Sequence, residues 1–137
     1  MNLSKVSDLE RNIAQIKRDL STLSEERWRA ALARNEKNVF TARVKAAERT
    51  LDNCSTIAEY VSNFSPPTAI EIKRRGLNAR KSLQAVRSSG NPTMFHSWVK
   101  EQLIPSTKLA ERMAHMAAST SMAVQGKSSE IHRWQLK

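Results

Sequence analysis

The sequence predicts an all-α protein of four to five helices, arranged as a helical bundle or extended hairpin that opens with a coiled-coil-like helix. Three observations carry this. Only three Gly and four Pro occur in 137 residues, and long stretches run without turn residues. Ala, Leu, Lys, Arg, Glu and Gln, all good helix formers, are abundant. Apolar residues recur at spacings of three and four rather than two. The length fits one domain. We assign residues 1–124 to a single helical domain, with 1–64 an N-terminal hairpin or pair of long helices and 65–124 the basic C-terminal helices. Residues 125–137 form a flexible or docking tail.

Val6, Leu9, Ile13, Ile16, Leu20 and Leu23 follow one another at three- and four-residue steps, which keeps them on one seam of a first helix. Ser7 and Glu10 offer a capping box near its start, with Ser4 an equal candidate for the cap. The seam lasts under three heptads, so it suits a hairpin or bundle contact, or a short coiled coil through which an oligomer or partner is joined. Ser24 followed by Glu25 and Glu26 marks a fresh N-terminus, since acids complement the helix dipole there. A second helix is expected from about 25 to 62, or a continuation of the first with a kink, since no Gly or Pro separates them. Ser65-Pro66-Pro67 ends it and starts a third, over about 66 to 88. On that helix Ala69, Ile72, Gly76, Ala79, Leu83 and Val86 form the buried face, and Gly76 suggests a neighbouring backbone coming close. Gly90-Asn91-Pro92 is a turn, with Asn91 as N-cap of a fourth helix over about 92 to 104. Pro105 is expected to break or bend the chain before a final Ala-rich helix over about 106 to 124. The tail after Gly126 reads as frayed, or as docking through Ile131 and Trp134.

Seven aromatic residues are present: Trp28, Phe40, Tyr60, Phe64, Phe95, Trp98 and Trp134. Most of any core must therefore be aliphatic, and a partner can complete so thin a core.

Charge is the strongest functional signal. The chain carries a net +10, and its halves differ: residues 1–64 hold eleven Lys and Arg against nine Asp and Glu, residues 65–137 twelve against four. Such a field attracts nucleic acid, anionic membrane or an acidic protein. Its focus is IEIKRRGLNARKSLQAVRSSG, residues 70–90, where Glu71 is followed by no carboxylate until Glu101. At about 100° per residue, Lys73, Arg80 and Arg87 fall on one line and Arg74 and Lys81 on a second beside it, with Ile70 and Leu77 between. Repeated cations suit the repeated phosphates of a nucleic-acid strand. The plainer reading is a solvated face whose side chains cover apolar surface with their methylenes. Small residues opposite the cations disfavour a membrane-surface helix, and the SSGNPT turn is too long for a helix-turn-helix. The expectation is backbone-directed binding to RNA or single-stranded nucleic acid, duplex DNA next, within a larger nucleoprotein assembly. Cations of the second helix extend the track. Trp28, Phe95, Trp98 and Trp134 are candidates for base stacking, although a helical Trp is more commonly core. The rival is a structural or adaptor protein of a secretion, virion or other assembly that binds an acidic protein partner.

No catalytic constellation is visible, and we expect no enzyme, no cofactor and no metal. His96, His115 and His132 lack zinc spacing with Cys54, and the methionines read as core filler. Cys54 cannot form an internal disulfide and reads as a small buried residue. The first fifteen residues are not a secretory signal, and no run approaches the roughly 20 apolar residues of a membrane span. A cytoplasmic, intracellular location is the simplest expectation.

Residues 65–103, SPPTAIEIKRRGLNARKSLQAVRSSGNPTMFHSWVKEQL, resemble the central region of small helical subunits of CRISPR effector complexes. The likeness lies in a Pro-rich entry, Gly76-Leu77, an amphipathic helix, a Ser-Gly break and Trp98. Residues 97–104, SWVKEQLI, are similar to a short helical stretch of the theta subunit of bacterial replicative polymerase. These families are unrelated, and neither likeness spans the chain or carries a functional motif, so no site residue is transferred from either. Both imply a small helical member of a nucleoprotein machine.

Overall fold

Short-range helical preferences and a few capping residues lay out the chain, which a computed structural model describes over residues 3–124. Its elements are α1 (Leu3–Thr22), α2 (Glu25–Ala33), α3 (Val39–Val61), α4 (Pro66–Ser89), α5 (Pro92–Trp98) and α6 (Ile104–Val124), with a π-helical turn at Val99–Leu103 joining α5 to α6. Counting α5, the π turn and α6 as one irregular helix gives five helices, and no strand is present among the described residues. The fold is an all-α bundle. Ile131, Trp134 and the rest of the proposed tail lie outside the described residues.

Several ends follow from their sequence signals. Ser24 caps α2 by accepting the Arg27 N–H at 3.2 Å, above the acids Glu25 and Glu26. Asn91 caps α5 by accepting from Thr93 N–H at 2.9 Å and Met94 N–H at 3.3 Å. Gly90 ends α4 with φ +62°, a left-handed conformation that costs glycine nothing. Ser7 and Glu10, by contrast, lie inside α1 and form no terminus.

Two expectations need correction. The helix expected over 25–62 is interrupted at residues 34–38. There the Asn35 N–H bonds the Leu32 carbonyl and the Glu36 N–H bonds the Ala31 carbonyl, at 3.0 and 3.1 Å. This pair of bonds closes a helix through a left-handed residue. Asn35 supplies it at φ 57°, and Asn38 repeats the conformation at φ 59° before α3; asparagine tolerates this region better than most side chains. Nor does Pro105 break the chain. Proline has no N–H to bond the carbonyl four residues back, and the turn before it widens: the Ile104 N–H reaches the Val99 carbonyl, five residues away. The helix then continues through Pro105.

α3 packs against α1, α4 and α6. Contacts between α1 and α3 pair Asp19 with Arg49 and Asp8 with Tyr60, so the two run antiparallel. One part of the core joins Leu9, Ile13 and Ile16 of α1 to Cys54, Ile57 and Val61 of α3, Ile72 of α4 and Ala110, Met113 and Ala117 of α6. The other joins Leu23, Trp28, Val44, Leu51, Leu83, Phe95, Trp98 and Leu103, and Leu20 packs against both. Burying a side chain such as Leu or Ile contributes about 1.5–3 kcal/mol, and the seam from Val6 to Leu23 is spent this way. Val6, Leu9, Ile13, Ile16 and Leu23 are buried inside the chain's own core and Leu20 is partly buried, so this seam forms the bundle and is not a surface for an oligomer or partner. The face foreseen for α4, Ala69, Ile72, Gly76, Ala79, Leu83 and Val86, is buried in full. Gly76 meets no close backbone, however: a Cβ there would find nothing within 4 Å.

Candidate partner-docking face

α4 begins at Pro66, in a first turn that needs no N–H, and lays its buried stripe against α3, α5 and α6. This fixes where its cations go. The line of Lys73, Arg80 and Arg87 runs along the border with antiparallel α3, whose carboxylates face it. Lys73 Nζ lies 2.5 Å from Glu59 Oε1, Arg80 pairs with Asp52, and Arg87 Nη1 lies 3.9 Å from Glu48 Oε1. The three pairs form a ladder across the α3–α4 groove. On the second line, Arg74 grips Glu71 with both Nε (2.9 Å) and Nη2 (2.5 Å), while Arg75 Nε reaches the same carboxylate at 3.0 Å. Hydrogen bonds from Arg74 and then Arg75 hold the Glu71 carboxyl down at about 2, and Glu71 in turn raises Arg74. Lys81 is exposed and, among the described residues, has no carboxylate within 4 Å.

The positive charge left uncompensated along the sequence is therefore largely compensated in space. The six cations of α4 have Glu48, Asp52, Glu59 and Glu71 against them, leaving a net +2. A phosphate approaching a rung of this ladder meets a carboxylate beside each cation. Exposed ion pairs contribute only about 0–1 kcal/mol each, so rungs can exchange partners, but they do not form a bare cationic track. Lys45, also without an ion pair among the described residues, stands with Arg87, Glu48, Phe40 and Thr41 around a cleft at the end of the ladder.

Between the two lines, Ile70 and Leu77 project outward, 66% and 54% exposed. Two large aliphatic side chains seven residues apart on one exposed face stand where their register between the two cation lines puts them, outside the buried stripe of α4. The aromatic candidates for base stacking lie elsewhere. Trp28, Phe95 and Trp98 are buried, Trp28 and Phe95 with ring centroids 6.1 Å apart, and Trp134 is outside the described residues.

Other chemistry is sparse. Cys54 is buried, and desolvation pushes its thiol up to about 12, away from nucleophilic use. Among the described residues no three His, Cys, Asp or Glu side chains come together to hold a metal ion, and no helix is long and apolar enough to cross a membrane. Set against models of known families, curated proteins and solved structures, the chain matches none.

Proposed function

We propose that the chain is a non-enzymatic helical docking module, whose α4 outer face receives an acidic amphipathic helix of a protein partner within a larger assembly. The exposed Ile70–Leu77 pair carries this reading. A helix laid along α4 would bury both side chains, and its acids would meet Lys81 and replace Glu59 and Asp52 on the outer sides of Lys73 and Arg80. The net positive field of the molecule steers such a partner into place. Apolar anchors ringed by polar contacts are the usual pattern of helix-in-groove recognition.

One observation favours a second reading, binding to nucleic-acid phosphates: residues 3–124 still hold 20 Lys and Arg against 12 Asp and Glu, a net +8. A single experiment separates the two. A designed peptide helix with Leu at i and i+7 flanked by Glu is titrated by fluorescence anisotropy, in parallel with single- and double-stranded DNA and RNA across salt. Docking of a protein helix requires that Ile70→Ser with Leu77→Ser abolish peptide binding. Tight nucleic-acid binding that survives this pair, but loses salt dependence in Lys73→Gln, Arg80→Gln, Arg87→Gln, would transfer the function to phosphate contacts.

A further inference from the structure

A cleft of about 410 Å³ opens where α1 ends, α2 begins and the π turn passes. No residue of α4 lines it. Its floor is Leu20, Leu23, Val99 and Ile104, and its rim is Ser24, Glu25, His96 and Lys100. Pockets that enclose small organic ligands span about 300–1,000 Å³, with apolar walls and a few convergent polar groups.

Lys100 is the one cation of the rim itself. Glu25 is its one carboxylate, and it is already engaged by Arg29 at 3.6 Å and Lys100 at 3.5 Å. Arg43, whose guanidinium carbon lies 5.7 Å from the Trp28 ring centroid, adds a third cation that acts on His96 together with Lys100 and Arg29. Lys100 and Arg29 thus share the one acid of the rim. Ser24 uses its side-chain oxygen on the Arg27 N–H, and the first-turn N–H groups of α2 favour negative charge at the same rim. His96 sits edge-on to Trp28 at 5.2 Å, and partial burial lowers it from the ordinary 6.5.

We infer that this cleft binds a small monocarboxylate with a compact apolar body. The body lies on Leu20, Leu23, Val99 and Ile104, and the carboxylate takes Lys100 from Glu25. Val99 and Lys100 of the π turn form one wall of the cleft, in keeping with the frequent placement of such turns at functional sites.

Octanoate, octan-1-ol and octylammonium are the probes, titrated into the whole protein and followed by Trp fluorescence and by calorimetry. Saturable one-site binding of octanoate is expected, about tenfold tighter than octanol. Lys100→Gln, at an exposed position, weakens octanoate about fivefold and leaves octanol unchanged. Glu25→Gln frees Lys100 and tightens octanoate, a response that a merely greasy cleft would not show. Val99→Trp fills the cleft and abolishes binding. If that variant fails to fold, the Lys100 and Glu25 responses still decide. Equal affinity for octanoate and octanol, preference for octylammonium, or no saturation at millimolar octanoate would each overturn the assignment.

Discussion

The Trp98 indole nitrogen donates a hydrogen bond to the Ala79 carbonyl oxygen at 3.0 Å, in the buried contact between α5 and α4. It satisfies the one polar atom of a side chain that is otherwise packed against Phe95. Trp98→Phe keeps much of the apolar packing and removes the donor, and should cost about 1–3 kcal/mol. Urea denaturation measures it; an unchanged midpoint would mean that the bond contributes nothing net.

Gly76 is a stability reserve. It lies mid-helix on the buried stripe, with nothing beyond its own turn of helix within 4 Å of where a Cβ would stand. Gly76→Ala should therefore stabilise the fold by up to about 1 kcal/mol, through helix propensity and a less flexible unfolded chain. A lower melting temperature would reveal a close contact after all.

Removing the acids of the ladder should expose its cations. In Glu48→Gln, Asp52→Asn, Glu59→Gln, stability should fall by less than about 1 kcal/mol per rung, while retention on heparin should shift to higher salt. Elution at an unchanged salt concentration would show that the rungs never masked their cations.

Asn38 and alanine should part company sharply. At φ 59°, Asn38→Ala places a Cβ in the left-handed region and should cost about 1–2 kcal/mol, whereas Asn38→Gly should be neutral or mildly stabilising. Thermal unfolding of both variants is the check.

Acidification should destabilise the bundle below neutrality. Burial lowers both His96 and His115 from the ordinary 6.5; Lys100, Arg29 and Arg43 add to the shift at His96 against Glu25, and Lys17 adds to it at His115. Below about 6.5 the unfolded chain takes up protons that the folded one refuses, so this stability is present above that pH and is lost as pH falls through the folded values. Half-buried Glu111, raised from 4.5 by its desolvation, acts in the opposite sense at lower pH. Melting temperature should drop between pH 7 and pH 5, and less steeply in His96→Gln. A rise on acidification would contradict the assignment.

What the sequence made legible was local. The stripe of α4, the caps Ser24 and Asn91 and the turn at Gly90 depend on residues within one or two turns of each other, and the structure places each as expected. Asn35 and Asn38 were local too, but a polar residue in a helical run reads as an exposed position unless its backbone angle is known. The ladder was not readable at all. Glu59, Asp52 and Glu48 lie 14, 28 and 39 residues from their partners in the chain, and only the antiparallel packing of α3 on α4 brings them within reach. The same packing turned a row of cations that looked bare into one that is largely matched.

That matching exists only in the folded bundle. As the chain is made, α3 and its acids emerge well before Arg87, and until α4 closes upon α3 the cations Lys73, Arg80 and Arg87 lack the carboxylates that later face them. Folding therefore doubles as charge quenching. A polyanion that reaches those side chains first would compete with Glu59, Asp52 and Glu48 for them, so closing α4 on α3 and shielding its cations are one event.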